Sequence, residues 1–218
     1  MPELPEVETV RRGLAHFLTG YTFRSSQDLH PRVLKPASIA PLSAVVGARI
    51  KGVNRRGKFL WFELDRDQAL VAHLGMSGQF LVARKDRPEP GHVRARFALK
   101  KGLKSHELVF SDQRTFGWLS VEELVGGVPT SALHIAVDPF DRAFDRGAVI
   151  AKMKSRKAAI KSVILNQEIM SGVGNIYADE SLWRAKIHPE IAASDLSVKK
   201  IGSLVDAAIE VMAEAVEV

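Results

Sequence analysis

The sequence predicts an α+β protein: a β-rich N-terminal domain with a helix at its amino end, followed by an all-helical domain. Three observations predict it. Strand-length apolar runs, separated by turns rich in glycine and charge, occupy the first half of the chain. From Phe144 onward the apolar spacing becomes helical almost throughout. Ahead of the strands, Val7, Val10, Leu14 and Phe17 recur at helical spacing, and Gly20 closes the pattern. The expected domains are residues 1–128 and 143–218, joined by a linker at 129–142 that contains Asp138-Pro139-Phe140-Asp141.

After the first helix, Val45-Val46 and Ile50 to Val53 read as strand, and Asn54-Arg55-Arg56-Gly57 as a basic glycine turn. Lys58 to Leu64 is the next strand, ended by Asp65-Arg66-Asp67, and Ala69 to Leu74 is another. Gly75-Met76-Ser77-Gly78 makes a tight connection into Gln79 to Val82. Arg84 to His92, with Pro88, Pro90 and Gly91, reads as a loop. Val93, Ala95, Phe97 and Leu99 alternate with Arg94, Arg96 and Ala98, the period of a strand with one buried face. Leu108 to Phe110 is a further strand, leading into Ser111 to Gly117. Helices are expected at 148–153, 158–165, 178–185 and from Val198 to the end, where Ile201, Leu204, Val205, Ala208 and Met212 share a face.

The 218 residues suffice for one large or two small domains, and 46% hydrophobic with 26% charged residues fits a globular protein. There is no cysteine, hence no disulfide framework and no cysteine zinc site within these residues. No secretory pattern or membrane-length apolar run occurs, and a bacterial cytoplasmic protein is expected. The net charge of +6 favours a polyanionic partner, nucleic acid first.

Chemistry concentrates at the amino end. Met1 precedes a small residue, so its removal is expected, leaving Pro2 with a secondary α-amine. Such an amine attacks electrophilic carbon and condenses with a sugar aldehyde to an iminium. An α-amine titrates near ~8 against ~10.4 for lysine, so far more of it is unprotonated at neutral pH. Glu3 and Glu6 stand three apart, suited to complement a helix dipole or to move protons beside the nucleophile. An ordinary helix start with proline and acids in its first turn is the alternative reading. Between two helical patterns, Gly172 and Gly174 allow close backbone approach, and Asn175 is placed to cap the next helix. The amides of that helix start would make an anion site with phosphate as its ligand; a plain glycine turn is the alternative. Lys152, Lys154, Arg156, Lys157 and Lys161 precede it, favouring a nucleic-acid backbone, although solvated lysines would look the same.

Met-Pro-Glu-Leu-Pro-Glu-Val-Glu-Thr-Val at the start, Arg-Gly-Lys-Phe-Leu, His-Leu-Gly-Met-Ser-Gly and Gly-Val-Gly-Asn-Ile-Tyr-Ala-Asp-Glu occur in that order. Together they resemble the bacterial formamidopyrimidine-DNA glycosylases, over residues 1 to about 190. Leu4 favours that branch over the related endonuclease VIII group, which typically has glycine there. The resemblance implies a β-sandwich with a catalytic N-terminal helix, then a helix-two-turns-helix domain, with DNA in the cleft between. It implies excision of oxidised purines (8-oxoguanine, formamidopyrimidines) from duplex DNA through an iminium at Pro2, then strand cleavage by β,δ-elimination. Glu3 would assist ring opening and proton transfer, Glu6 would support the site, and Lys58 would hold a phosphate next to it. His73 and Asn175 would pinch the DNA backbone. Met76, Arg114 and Phe116 would enter the duplex, filling the place of the extruded base and contacting its partner. His92 and Tyr177 complete the residues assigned to DNA.

Taken singly, Lys58 reads as solvent-facing, His73 as structural, Met76 and Phe116 as core and Arg114 as surface. The family more often has arginine where Thr115 stands, and another residue at Gln113. It also carries a C-terminal zinc finger with four cysteines and a loop that closes over the extruded base; neither occurs here, so no cofactor is expected in this chain. A monomer acting on damaged double-stranded DNA is expected, binding more weakly than a chain with the finger. Action on oxidised pyrimidines and a DNA-binding module with little turnover are the rival readings.

Overall fold

The computed structural model describes residues 2–83 and 90–217. Most of the expected Arg84–His92 loop, together with Met1 and Val218, lies outside the described residues. The chain forms two compact units. The first contains Pro2, Val7–Arg55 and the described part of Phe59–Leu133; the second contains Glu3–Glu6, Arg56–Lys58 and residues 134–217. Two short segments that chain order groups with the strands therefore pack with the helices.

Helix α1 (Leu4–Leu18) begins the fold. It is followed by β1 (Thr22–Asp28), β2 (Ile50–Arg56), β3 (Phe59–Leu64), β4 (Gln68–His73), β5 (Gly78–Ala83), β6 (Val93–Lys101), β7 (Lys104–Asp112), β8 (Trp118–Val125) and β9 (Val128–Pro129). One sheet has the order β1-β6-β7-β5 and the other β2-β3-β4-β8-β9. The inward residues of both form one core, where Phe23, Phe62, Phe97 and Phe110 are fully buried. Phe23 meets Phe97 edge to face at 5.5 Å and Phe62 at 6.5 Å. Burial of each such ring stabilises by about 1.5–3 kcal/mol. The alternation expected over Val93–Leu99 is present, with Ala95, Phe97 and Leu99 buried.

Several local expectations need correction. Phe17 is 54% exposed, and α1 instead buries Leu4, Val7, Leu14 and Leu18. Leu42–Val45 is a 3-10 turn, while β2 runs on through Asn54-Arg55-Arg56, so the reversal is made by Gly57-Lys58. Strands β1 and β8 were not expected. In β1 only Phe23 is buried, because it is an edge strand. β8 hides Glu122 and Ser120, whose side chains bond each other, and Glu122 also accepts from Thr130 Oγ1 and Ser131 N–H.

The second unit contains α2 (Arg146–Lys154), α3 (Ile160–Ile164), α4 (Asn175–Ala185) and α5 (Val198–Glu217). Asp145 caps α2 by accepting from Ala148 N–H at 2.9 Å. Met153, Ile164, Met170, Val173, Ile201, Leu204, Val205 and Met212 form its core, and Leu4 belongs to the same cluster. No helix among the described residues is long and apolar enough to cross a membrane.

Candidate active site and nucleic-acid interface

Helix α4 starts after two glycines, and its first amides have no partner within the helix. Its N-cap, Gly174, has no side chain to offer, and Asn175 is an exposed first helical residue that makes no cap. Glu3 performs that task from 171 residues away. Its Oε2 accepts from Gly174 N–H at 2.6 Å and Tyr177 N–H at 3.3 Å, and its Oε1 from Ile176 N–H at 2.9 Å. The anion expected at this helix start is thus the chain's own carboxylate, 2% exposed, in the seat foreseen for phosphate.

The two glycines make the approach possible. A Cβ on Gly174 would lie 2.3 Å from Glu3 Cδ, and one on Gly172, at φ +97°, 2.4 Å from Leu4 Cδ1. The close contact expected of these glycines is with the first turn of α1, where Leu4 N–H also donates to Gly172 O at 3.0 Å. Glu6 completes the arrangement. Its Oε2 accepts from Glu3 N–H at 2.8 Å, half of a capping box, and its Oε1 from the Tyr177 hydroxyl at 2.7 Å. Burial, and then the neighbouring Glu6, raise the pKa of the Tyr177 phenol. The side chain assigned to DNA is 7% exposed and has its hydroxyl engaged with Glu6.

Lys58 is 8% exposed, so the solvent-facing alternative does not hold. Burial lowers the pKa of its ammonium, against the opposing pull of the Glu3 and Glu6 carboxylates. The preceding Gly57 N–H donates to Asp138 Oδ2 at 3.1 Å. Pro2 is partly buried and leads directly into Glu3. The second unit therefore gathers Glu3, Glu6, Lys58 and Tyr177, with exposed Asn175 at the start of α4.

In the first unit, Met76, Arg114 and Phe116 occupy two turns held by one carboxylate. Asp112, fully buried, accepts from Arg114 N–H at 3.1 Å through Oδ1 and from Gly117 N–H at 2.7 Å through Oδ2, and Ser77 Oγ also donates to it. Burial alone would raise its pKa; hydrogen bonds from Ser77, Gly117 and Arg114 reverse the shift and lower it. Met76 is 43% and Phe116 58% exposed, and Arg114 is exposed with its Nη1 3.4 Å from Met76 Sδ. Neither apolar tip is in the core. Thr115 between them has φ 55°, left-handed backbone that costs a β-branched residue about 1–3 kcal/mol.

His73 pairs across strands with Phe59 and Trp118, stacking on Trp118 at 5.7 Å, and its Nδ1 accepts from Gly75 N–H at 3.1 Å. With Nδ1 as acceptor, the neutral ring carries its proton on Nε2. His92 is exposed with φ 59°, and its carbonyl accepts from Asp112 N–H at 3.0 Å.

The basic cluster is largely engaged internally. Lys152 Nζ donates to Glu168 O at 2.5 Å, Lys154 Nζ to Ser194 O and Leu196 O at 2.5 and 2.7 Å, and Lys161 pairs with Asp179 at 2.6 Å. Arg156 and Lys157 are exposed. Sequence reasoning passed over Asp112, Asp138 and the buried Glu8, which binds Arg11, Arg12 and Arg55. The local sequence does not mark them as buried: Glu8 continues the acidic run of Glu3 and Glu6, and Asp112 and Asp138 stand in polar turn segments. The 218 residues contain no cysteine, and no group of three or more metal-binding side chains occurs among the described residues.

Comparison with known proteins defines the family. The family model for the formamidopyrimidine-DNA glycosylase N-terminal domain matches residues 1–119, and that for the formamidopyrimidine-DNA glycosylase H2TH domain matches residues 135–218. A two-sheet unit followed by a helix-two-turns-helix bundle is the framework of a class of DNA glycosylases. The formamidopyrimidine-DNA glycosylase of Acidothermus cellulolyticus is 50% identical over 200 residues, 90% of this chain and 70% of that protein. That of Corynebacterium glutamicum strain R is 46% identical, over 99% of this chain and 78% of the relative. A crystal structure of Lactococcus lactis formamidopyrimidine-DNA glycosylase, non-covalently bound to DNA containing an AP site, has a TM-score of 0.84 at 32% identity. It covers 99% of this chain and 82% of that one. A complex of the same enzyme with DNA containing FAPY-dG also has a TM-score of 0.84, covering 99% and 80%. The chain belongs to the formamidopyrimidine-DNA glycosylase family.

Proposed function

We propose that this protein is a DNA-repair glycosylase and AP lyase that excises oxidised purines from duplex DNA with Pro2 as nucleophile. Family membership supports the reaction class, and the L. lactis complexes with AP-site and FAPY-dG DNA support the substrate. The observation that carries the reading is Glu3, fixed on the amides of α4 next to Pro2, with the buried Lys58 in the field of the same carboxylate.

Freed of Met1, the Pro2 amine attacks C1′ of the damaged nucleotide, and the base leaves with the electrons of its bond to the sugar. Glu3 takes the proton released by the amine and passes it to O4′ as the ring opens, which forms the iminium. The iminium acidifies C2′, whose proton passes to solvent as the 3′ phosphate leaves, and loss of the C4′ proton to solvent then expels the 5′ phosphate. Lys58 holds a flanking phosphate during these steps, and His73 and Asn175 grip the backbone. Extrusion of the base costs a few kcal/mol of stacking. Met76 and Phe116 refill the stack, and Arg114 meets the orphaned base.

Borohydride added during reaction with an abasic duplex tests the assignment. The expected result is a covalent protein–DNA adduct that peptide mapping places on residue 2. An adduct on Lys58, or a yield unaffected by extending the N-terminus, overturns it.

A further inference from the structure

We infer that Asp138 is a positioning residue for Lys58. Asp138 lies in the segment that sequence reading treats as connector, yet it is 3% exposed. A carboxylate that deep must be satisfied by hydrogen bonds, and the bonds it makes are directed. Its Oδ2 accepts from Gly57 N–H at 3.1 Å, and its Oδ1 from Phe140 N–H at 3.2 Å.

Gly57 and Lys58 are the whole reversal between β2 and β3, so the peptide plane entering Gly57 sets where the lysine backbone starts. The other side of this turn abuts the loop before α4. A Cβ on Gly57 would lie 2.9 Å from Ser171 Cβ and 3.2 Å from Gly172 N. The turn is thus pressed from the Ser171 side and tied by Asp138 through Gly57. Lys58 itself is buried, so the room for its side chain to rearrange is small and the turn sets where it starts. A charged acceptor binds the Gly57 amide more strongly than a neutral one, which explains a buried acid in what is otherwise a connecting segment.

This inference rests on the proposed role of Lys58, and the test separates the two. Cleavage of an abasic duplex is measured for the wild type, Asp138→Ala, Lys58→Ala and the double variant, each normalised to active sites titrated by borohydride trapping. If Asp138 acts through Lys58, Asp138→Ala lowers kcat about tenfold when Lys58 is present and less than about twofold in the Lys58→Ala background. A purely structural Asp138 would lower it by the same factor in both backgrounds. That outcome, or no loss in either, overturns the inference and leaves the proposed reaction standing. Lys58→Ala cleaving at the wild-type rate overturns both. Should Asp138→Ala fail to fold, Asp138→Asn retains one of the two acceptors. It is expected to lose about threefold, again only with Lys58 present.

Discussion

Two buried carboxylates, Glu3 and Asp112, organise different regions by the same device. Each gathers several donors: the amides of Gly174, Ile176 and Tyr177 for Glu3, and the Ser77 hydroxyl with the amides of Arg114 and Gly117 for Asp112. Around Asp112, scaffold and working parts are separate residues. The carboxylate shapes two turns, and the exposed tips of Met76, Arg114 and Phe116 are the side chains to which contact with DNA is proposed. At the amino end they coincide, since Glu3 is both the cap of α4 and the proposed proton carrier. The contrast means that damage at Asp112 can be confined to shape, whereas damage at Glu3 removes shape and the proposed chemistry together.

The sharpest way to break the contrast is Glu3→Gln. Glutamine has one acceptor oxygen, and its amino group would face N–H donors now 2.6–3.3 Å away. The expected outcome is a loss of about 1–3 kcal/mol of stability from the unsatisfied cap. Adduct formation with an abasic duplex should slow by at least about a hundredfold, as for loss of a general acid–base group. Thermal melting and timed borohydride trapping on one preparation check both. Unimpaired trapping would make Glu3 a scaffold only and erase its difference from Asp112.

Asp112→Asn should cost a similar ~1–3 kcal/mol in stability. Its chemistry should survive: trapping on a bare abasic duplex, corrected for folded fraction, is expected within about threefold of wild type, since only the turns lose their anchor. Discrimination among bases opposite the lesion should blur, because asparagine offers a single acceptor oxygen to the two turns and the Arg114 amide then relies on Ser77 Oγ at 3.1 Å. A large loss of trapping would tie the exposed turns to the chemistry after all.

A third carboxylate sharpens the scaffold side. Burial alone would raise the pKa of Glu8, but hydrogen bonds from Arg11, Arg55 and Arg12 bring it down from 4.5 to about 2. A depressed folded-state pKa stabilises above the unfolded value and loses that contribution as pH falls through the folded one. The Glu8 contribution, on the order of 2 kcal/mol after allowance for solvent screening, should therefore be complete above about pH 4.5 and disappear towards pH 2. Urea unfolding of wild type and Glu8→Gln should show the gap between them closing across that window. A constant gap would mean that the arginine cluster does not depend on the Glu8 charge.

What was legible in the sequence follows from range and chemistry. Strand β6 declares itself because alternate residues face core and solvent. The helical unit does so through long apolar spacing, as in α5. Strand β1 was not legible, since an edge strand burying one phenylalanine looks like a polar loop. Nor was β8, where Ser120 and Glu122 occupy buried positions because they satisfy each other and the segment after β9. At the site, residue types were visible but partners were not. Asn175 is the obvious local cap for α4, yet no periodicity reveals that Glu3 takes its place from 171 residues away. Likewise Lys152 and Lys154 of α2 read as freely solvated until their bonds to backbone carbonyls are seen.

The smallest expected effect tests where Glu6 belongs in the contrast. Its two oxygens are divided between the Tyr177 hydroxyl at 2.7 Å and the Glu3 amide at 2.8 Å, so it bridges α4 to the peptide that joins Pro2 and Glu3. That is a scaffold geometry, like that of Asp112, inside the region where Glu3 combines both tasks. Tyr177→Phe removes one donor and keeps the ring in its buried place. The stability loss should be about 1 kcal/mol, and trapping should slow about threefold as the Pro2–Glu3 peptide loosens. The pH dependence of trapping should keep its position, because a scaffold carboxylate contributes no titration to the rate. A displaced acid or base limb in Tyr177→Phe would identify Glu6 as a group whose protonation enters the reaction. It would then move from scaffold to chemistry, leaving the amino end with two residues of Glu3's kind.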